Sequence, residues 1–195
     1  MKVIILNYGV GNLFSISSAF KRLGAEVEIR AEPAEADLII LPGVGAFSSV
    51  GSFLAKWRGR LEELRRSGSK FLGVCLGMQL FFEEGYEGGR TKGLGWLKGY
   101  VDLLRDAPKL PHIGWDVLME KGSCDLSEGL KGRYAYFVHS YVAYTPMRPA
   151  MTSVYGMEFP ALVCTDELVG TQFHPEKSGE TGGIFLRNLI EWVKR

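Results

Sequence analysis

Lys70-Phe71-Leu72-Gly73-Val74-Cys75-Leu76-Gly77-Met78-Gln79-Leu80-Phe81-Phe82 reads as a short apolar strand that turns abruptly into a helix, with Cys75 at the turn. Gly73 and Gly77 stand two residues before and two after it. This is the spacing of the G-x-S-x-G elbow, in which small flanking residues permit a sharp turn and hold a nucleophile clear of neighbouring chains. A cysteine opening a helix also faces the positive end of the helix dipole, which favours thiolate over thiol. Read alone, the stretch is equally compatible with Cys75 as a small buried hydrophobe, the common fate of an intracellular cysteine.

Working outward, the same strand-turn-helix grammar fills the first half. Lys2-Val-Ile-Ile-Leu6 is an apolar, β-branched run, followed by Gly9-Val-Gly-Asn12 and a helical stretch to Leu23 that Gly24 ends. Val27 and Ile29 continue in a second strand, and Leu38-Ile-Ile-Leu41, stopped by Pro42-Gly43, makes a buried third. The β-α-β order predicts parallel pairing. Phe53, Trp57, Leu61 and Leu64 repeat at helical spacing as one apolar stripe, which Gly68 ends.

Beyond about residue 95 the stretches 100–104, 115–118, 134–139, 142–144, 152–155, 162–165 and 169–173 are strand-like and separated by turns. A closing helix follows over 184–193, with Phe185, Leu189 and Val193 recurring at fours. The expected fold is α/β: a mostly parallel central sheet flanked by helices, with antiparallel strands added in the second half. No linker or repeat interrupts the chain, so 1–195 is expected to be a single domain.

Composition fits this reading. The chain has 195 residues, 46% of them hydrophobic, with 23 Lys and Arg against 22 Asp and Glu. A domain of this size buries enough surface to fold without a disulfide or metal staple. A net charge of +1 argues against nucleic acid or an anionic membrane as the main partner. The three cysteines, Cys75, Cys124 and Cys164, are far apart with no C-x-x-C or C-x-x-H, so neither a disulfide framework nor a zinc knuckle is expected. The apolar run after Met1 is too short for a signal peptide, and the most apolar window, 71–82, falls short of the ~20 residues that span a bilayer. The expected compartment is the cytoplasm.

A partner for Cys75 stands a hundred residues downstream. In Gly170-Thr-Gln-Phe-His174-Pro175-Glu176, His and Glu are separated by one proline. Residues two apart in extended chain face the same way, and Pro175 biases His174 toward extended geometry. The carboxylate is thus expected to hold one imidazole nitrogen and leave the other for a thiol, the arrangement of nucleophile, base and orienter. Cys124 and Cys164 lack such partners. His112 and His139 are expected to be structural histidines, since three dispersed histidines make no metal site. Leu41-Pro42-Gly43-Val44-Gly45 follows a strand, and glycines on both sides of Val44 let peptide N–H groups turn toward a substrate oxygen, although an ordinary Pro-Gly turn reads the same. It fits neither a Walker loop nor G-x-G-x-x-G.

Together, Pro42-Gly-Val-Gly45, Gly73-Val-Cys-Leu-Gly-Met-Gln79 and Gly170-Thr-Gln-Phe-His-Pro-Glu-Lys-Ser178 resemble the class I, triad-type glutamine amidotransferases. Within them, Asn7-Tyr-Gly-Val-Gly-Asn-Leu13, Gly93-Leu-Gly-Trp96, Pro111-His-Ile-Gly-Trp-Asp116 and Tyr136-Phe-Val-His-Ser-Tyr141 look like the glutaminase subunits of imidazole glycerol phosphate synthase. Asp116 departs from the Asn, and Ile113 from the Met, usual in that motif. The resemblance implies a flavodoxin-like sheet and hydrolysis of L-glutamine to glutamate and ammonia through a thioester on Cys75, with His174 as base, Glu176 as its orienter and Gly43, Val44 and Gly45 around the oxyanion. It further implies glutamine binding at Gln79, Glu87, His139, Ser140 and Tyr141. The implied partner is a separate (β/α)8-barrel cyclase in a heterodimer, met through Asn12, Trp115, Tyr136 and Lys177. No cofactor or metal is expected, since amide hydrolysis through a thioester needs no electron sink. A sibling glutaminase of anthranilate or guanylate synthesis, a non-catalytic glutamine-binding subunit and a freestanding cysteine hydrolase are the alternatives.

Overall fold

The structure is a computed structural model describing residues 1–9 and 11–195; Val10, inside the Asn7–Leu13 motif, lies outside the described residues. Along the chain, β1 (Lys2–Leu6), α1 (Leu13–Arg22), β2 (Glu26–Arg30), β3 (Leu38–Leu41), α2 (Gly51–Arg66), β4 (Lys70–Val74) and the one-turn α3 (Leu76–Gln79) come first. Seven strands follow: β5 (Glu84–Gly85), β6 (Thr91–Lys92), β7 (Tyr100–Leu103), β8 (His112–Val117), β9 (Met119–Glu120), β10 (Tyr134–His139) and β11 (Tyr141–Tyr144). The last are β12 (Met151–Tyr155), β13 (Met157–Cys164), β14 (Leu168–Thr171) and α4 (Gly179–Val193).

An eight-stranded sheet runs in the order β2-β1-β3-β4-β14-β13-β12-β9. The first five strands are parallel, and β13, β12 and β9 extend the sheet antiparallel. Parallel strands inside the sheet must be covered on both faces, which is why the apolar runs of β1, β3 and β4 are nearly continuous, while the edge strand β2 alternates. Val3, Ile5, Leu38, Ile40 and Leu72 face a core with Ile16 and Phe20 of α1 and Phe185 and Leu189 of α4. Ile4, Leu6, Ile39, Leu41 and Phe71 face the opposite core with Leu54, Leu61 and Leu64 of α2. The expected stripe on α2 holds at Leu61 and Leu64, which are fully buried, while in its first turns Leu54 takes the fully buried place and Phe53 and Trp57 pack half-buried against the same core, Phe53 also against Tyr8.

The main refinement concerns β14. It lies in the second half yet enters the parallel core directly beside β4. β8 and β10 leave the main sheet and pair as a two-stranded ribbon, and β11-β7-β5-β6 form a smaller sheet. One expectation is overturned: Cys124 and Cys164 form a disulfide, with their Cα atoms 6.8 Å apart and 40 residues between them in sequence. The pairing carries no sequence motif, since it depends on a loop docking at the end of β13. No helix among the described residues is long and apolar enough to cross a membrane.

Candidate active site

Strand order builds the site. Gly73 of β4 is level with Leu41 of β3 on one side and Gly170 of β14 on the other, so three parallel strands end on one edge of the sheet. The segments that leave there are Pro42–Gly45, Cys75 and Gln172–His174, which brings residues a hundred positions apart into neighbouring turns. Sites of open α/β sheets form at such carboxyl edges.

Cys75 adopts a left-handed backbone with φ 54°, a strained conformation for a non-glycine residue. Its neighbours show why both flanking glycines are needed. A Cβ on Gly73 would stand 2.5 Å from the Gly77 carbonyl carbon, and one on Gly77 would stand 1.7 Å from the Leu41 carbonyl oxygen. The helix that follows has a single turn, so the aligned dipole expected behind the sulfur is small. A more local donor takes its place. The Gln172 amide nitrogen lies 3.5 Å from Cys75 Sγ, and Gln172 is itself held by Gln79, whose Nε2 donates to Gln172 Oε1 at 3.1 Å and to the Tyr141 carbonyl at 2.9 Å.

His174 and Glu176 meet as expected, with Nδ1 2.9 Å from Oε1, and both side chains are buried. The geometry differs in one respect. β14 ends at Thr171, and Glu176 reaches back from a 3-10 turn over Pro175–Lys177 rather than from a strand. Burial disfavours the charged imidazole, but the Cys75 sulfur and the Glu176 carboxylate outweigh it and raise His174 to about 10. His174 Nε2 is buried without a conventional hydrogen bond, beside the sulfur that acts on it. Ser178, which sequence reading leaves without a role, ties the His174 backbone to β10: its hydroxyl donates to the His174 carbonyl at 2.7 Å and accepts from the Tyr136 N–H at 2.9 Å.

Gly43 (φ 155°) and Gly45 (φ 139°) take backbone angles that favour glycine. The Gly43 carbonyl accepts from the Leu76 N–H at 3.3 Å. The amide after a nucleophile is a usual oxyanion donor, so in this conformation a carbonyl occupies the place where an oxyanion would be stabilised. Tyr8, half-buried, tethers the loop by donating its hydroxyl to the Pro42 carbonyl. Its signal in sequence is only its place in the Asn7–Leu13 motif.

A cavity of about 230 Å³ opens against Cys75, lined among others by Val44, Gln79, Glu87, Ser140 and Tyr141. All five residues expected to bind glutamine border it, but not all with free groups. Gln79 spends its amide on the protein, and His139 contacts His112 Nδ1 at 3.0 Å and the Tyr141 carbonyl at 3.1 Å through its two nitrogens. Burial holds the Glu87 carboxyl above its usual range. On the other side of the triad, Asn12, Pro42, Val44, His174, Glu176 and Lys177 surround a small hollow of about 30 Å³. Trp115, 52% exposed, packs edge-on against Tyr136 with ring centroids 5.8 Å apart, and Lys177 Nζ lies 5.9 Å from the Tyr136 ring centre. Asn12 also caps α1, accepting from the Ser15 N–H at 3.3 Å.

The family model for Glutamine amidotransferase class-I matches residues 4–191. The chain belongs to the class-I glutamine amidotransferases. Among the curated relatives of this amidotransferase is the imidazole glycerol phosphate synthase subunit HisH of Saccharolobus solfataricus, 58% identical over 199 residues and the whole of both chains. The subunit of the same description from Methanothermobacter thermautotrophicus is 40% identical over 98% of this chain and 99% of its own. A crystal structure described as a glutamine amidotransferase superposes with a TM-score of 0.75 at 20% identity, covering 99% of each chain, and at that identity it speaks for the fold alone.

Proposed function

We propose that residues 1–195 act as one glutaminase domain that hydrolyses L-glutamine and passes its ammonia to a (β/α)8-barrel cyclase subunit, producing imidazole glycerol phosphate and aminoimidazole-carboxamide ribotide for histidine biosynthesis in the cytoplasm. The observation that carries the reading is the meeting of Cys75, His174 and Glu176 beside a cavity of about 230 Å³. In it, His174 takes the Cys75 proton and the sulfur attacks the side-chain amide of glutamine. His174, oriented by Glu176, protonates the departing ammonia and then activates the water that releases glutamate from the thioester.

The Gly43 carbonyl gives this chemistry an off state. Turning the peptide between Gly43 and Val44 would replace that carbonyl with the Val44 N–H and complete an oxyanion site with Leu76. Val44 is 41% exposed on the side where Asn12 and Lys177 sit, so a docked partner could bias the flip. One oxyanion donor is worth about 100- to 1000-fold in rate. Glutamine carrying ¹⁵N in its side-chain amide, followed with the chain alone and with the cyclase bound to its ligand, tests this. Turnover should be slow alone, rise by about that factor in the complex, and deliver the label to the cyclase product. Full-rate hydrolysis by the isolated chain, with the label lost to solvent, would favour a freestanding hydrolase.

A further inference from the structure

Behind the glutamine cavity a row of buried polar contacts has one proton too few. Asp116 Oδ2 lies 2.5 Å from His112 Nε2, His112 Nδ1 lies 3.0 Å from His139 Nε2, and His139 Nδ1 lies 3.1 Å from the Tyr141 carbonyl. Both rings are buried and only the Asp116 carboxylate, 34% exposed, reaches solvent, so water does not make up the deficit at the ring nitrogens. Each of the three gaps needs a proton, a carboxylate and a carbonyl supply none, and two neutral imidazoles supply one each. One gap therefore stays empty unless the chain holds an additional proton.

Electrostatics chooses which gap. A lone pair of His112 against a carboxylate at 2.5 Å is the costliest arrangement, so His112 keeps its proton on Nε2 for Asp116. Its Nδ1 then accepts from His139 Nε2–H, since an empty middle gap would strand two ring nitrogens whereas an empty outer gap strands only His139 Nδ1, left bare against the Tyr141 carbonyl. That carbonyl belongs to the wall of the glutamine cavity and retains its bond from Gln79. An additional proton on His112 reverses the direction of the row: Nδ1–H donates to His139 Nε2, and His139 Nδ1–H closes on Tyr141.

We propose that Asp116 makes the wall of the glutamine cavity proton-dependent, the His139–Tyr141 hydrogen bond being open when the Asp116–His112–His139 row holds two protons and closed when it holds three. Asp116, His112 and His139 are positioning residues in this account, which rests on the glutaminase reading for the cavity's occupant but not for the proton count. The ionisable groups that face the row are Asp116 on β8, Tyr155 stacked on His112 from β12 and, through charge, His174; Phe137 and Phe159 close the other sides. His139 stays neutral throughout, held down to about 3 by burial, by His112 and by His174. Burial also lowers His112 against the pull of Asp116, so the third proton enters below the ordinary histidine range.

The test compares the wild-type chain with Asp116→Asn, whose amide N–H donates to His112 Nε2 and completes the row without an additional proton. The chain has only three histidines, so ¹⁵N-histidine spectra report each tautomer. At pH 8 the wild type should show His139 protonated on Nε2 and the variant should show it protonated on Nδ1; on acidification the wild-type signal should move to the Nδ1–H form. In the complex with cyclase at pH 8, the variant should bind glutamine with a KM about fivefold lower at unchanged kcat, the scale of one hydrogen bond. The same His139 tautomer in both proteins at pH 8, or Nδ1–H in the wild type there, overturns the proposal. The predicted tautomers without any glutamine turnover would leave the row as described and remove the glutaminase reading instead.

Discussion

A methyl group on Gly77 would have to share space with the Leu41 carbonyl oxygen, 1.7 Å away, and the oxygen belongs to the strand that launches Pro42–Gly45, the proposed oxyanion loop. Backbone at that contact cannot yield without moving both Cys75 and Pro42–Gly45. Since misplacing reacting groups by about 1 Å can cost 100-fold, Gly77→Ala should lower glutaminase activity in the complex by at least that factor while ammonium-driven cyclase activity persists. A variant with normal glutamine turnover would show that the elbow does not set the geometry. The glycine spacing around Cys75 was legible from sequence as a strand-to-helix elbow pattern, and the Gly73 contact with Gly77 lies within that turn, but the contact of Gly77 with Leu41 on the neighbouring strand was not legible. The Gln172 amide beside the sulfur was not, since nothing in its neighbours says that a polar side chain will turn inward 97 positions from its target. Nor was the state of His139, whose engaged nitrogens depend on a partner 27 residues away.

At the scale of elements, β8 and β10 divide their residues between two tasks. His112 turns inward to the polar row while Ile113 and Trp115 turn outward, as alternation along a strand requires. β10 was readable as a strand, but β8 only in its second half, since the expected stretch 115–118 misses His112–Gly114, where Gly114 breaks the apolar pattern. The separation of both from the main sheet was not readable, because short strands carry no signal of which sheet they join. The outward set, Ile113, Trp115 and Tyr134, is exposed on one face of the ribbon, and Trp115 packs on Tyr136, which Lys177 approaches; an aromatic and aliphatic face of this kind suits a protein partner. Trp115→Ala should weaken association with the cyclase by about thirtyfold, the loss of ~2 kcal/mol typical of a buried aromatic anchor, without altering the chain's own stability. An unchanged dissociation constant would move the interface elsewhere.

For the molecule as a whole, β1 to β4 of the parallel core could be read directly from their apolar residues, whereas the place of β14 beside β4, which completes the carboxyl edge where the site forms, could not, because the strand is distant in sequence. Nor could the disulfide, because it depends on the Cys124 loop docking at the end of β13, 40 residues away in sequence. Closing 40 residues of chain, it should stabilise the fold by about 4 kcal/mol on loop entropy. Paired Cys124→Ser and Cys164→Ser substitutions should lower the denaturation midpoint accordingly and leave glutamine turnover intact; an unchanged midpoint would deny it that role. What unites the molecule is that β3, β4 and β14 bring Pro42–Gly45, Cys75 and His174 to one edge, where the proposed reaction needs an oxyanion site, a nucleophile and a base. The direct measurement is Cys75→Ala assayed in the complex with cyclase on glutamine and on ammonium salts. The account predicts background turnover on glutamine with the ammonium-driven reaction preserved, and glutamine-driven turnover that survives the loss of the sulfur would contradict it.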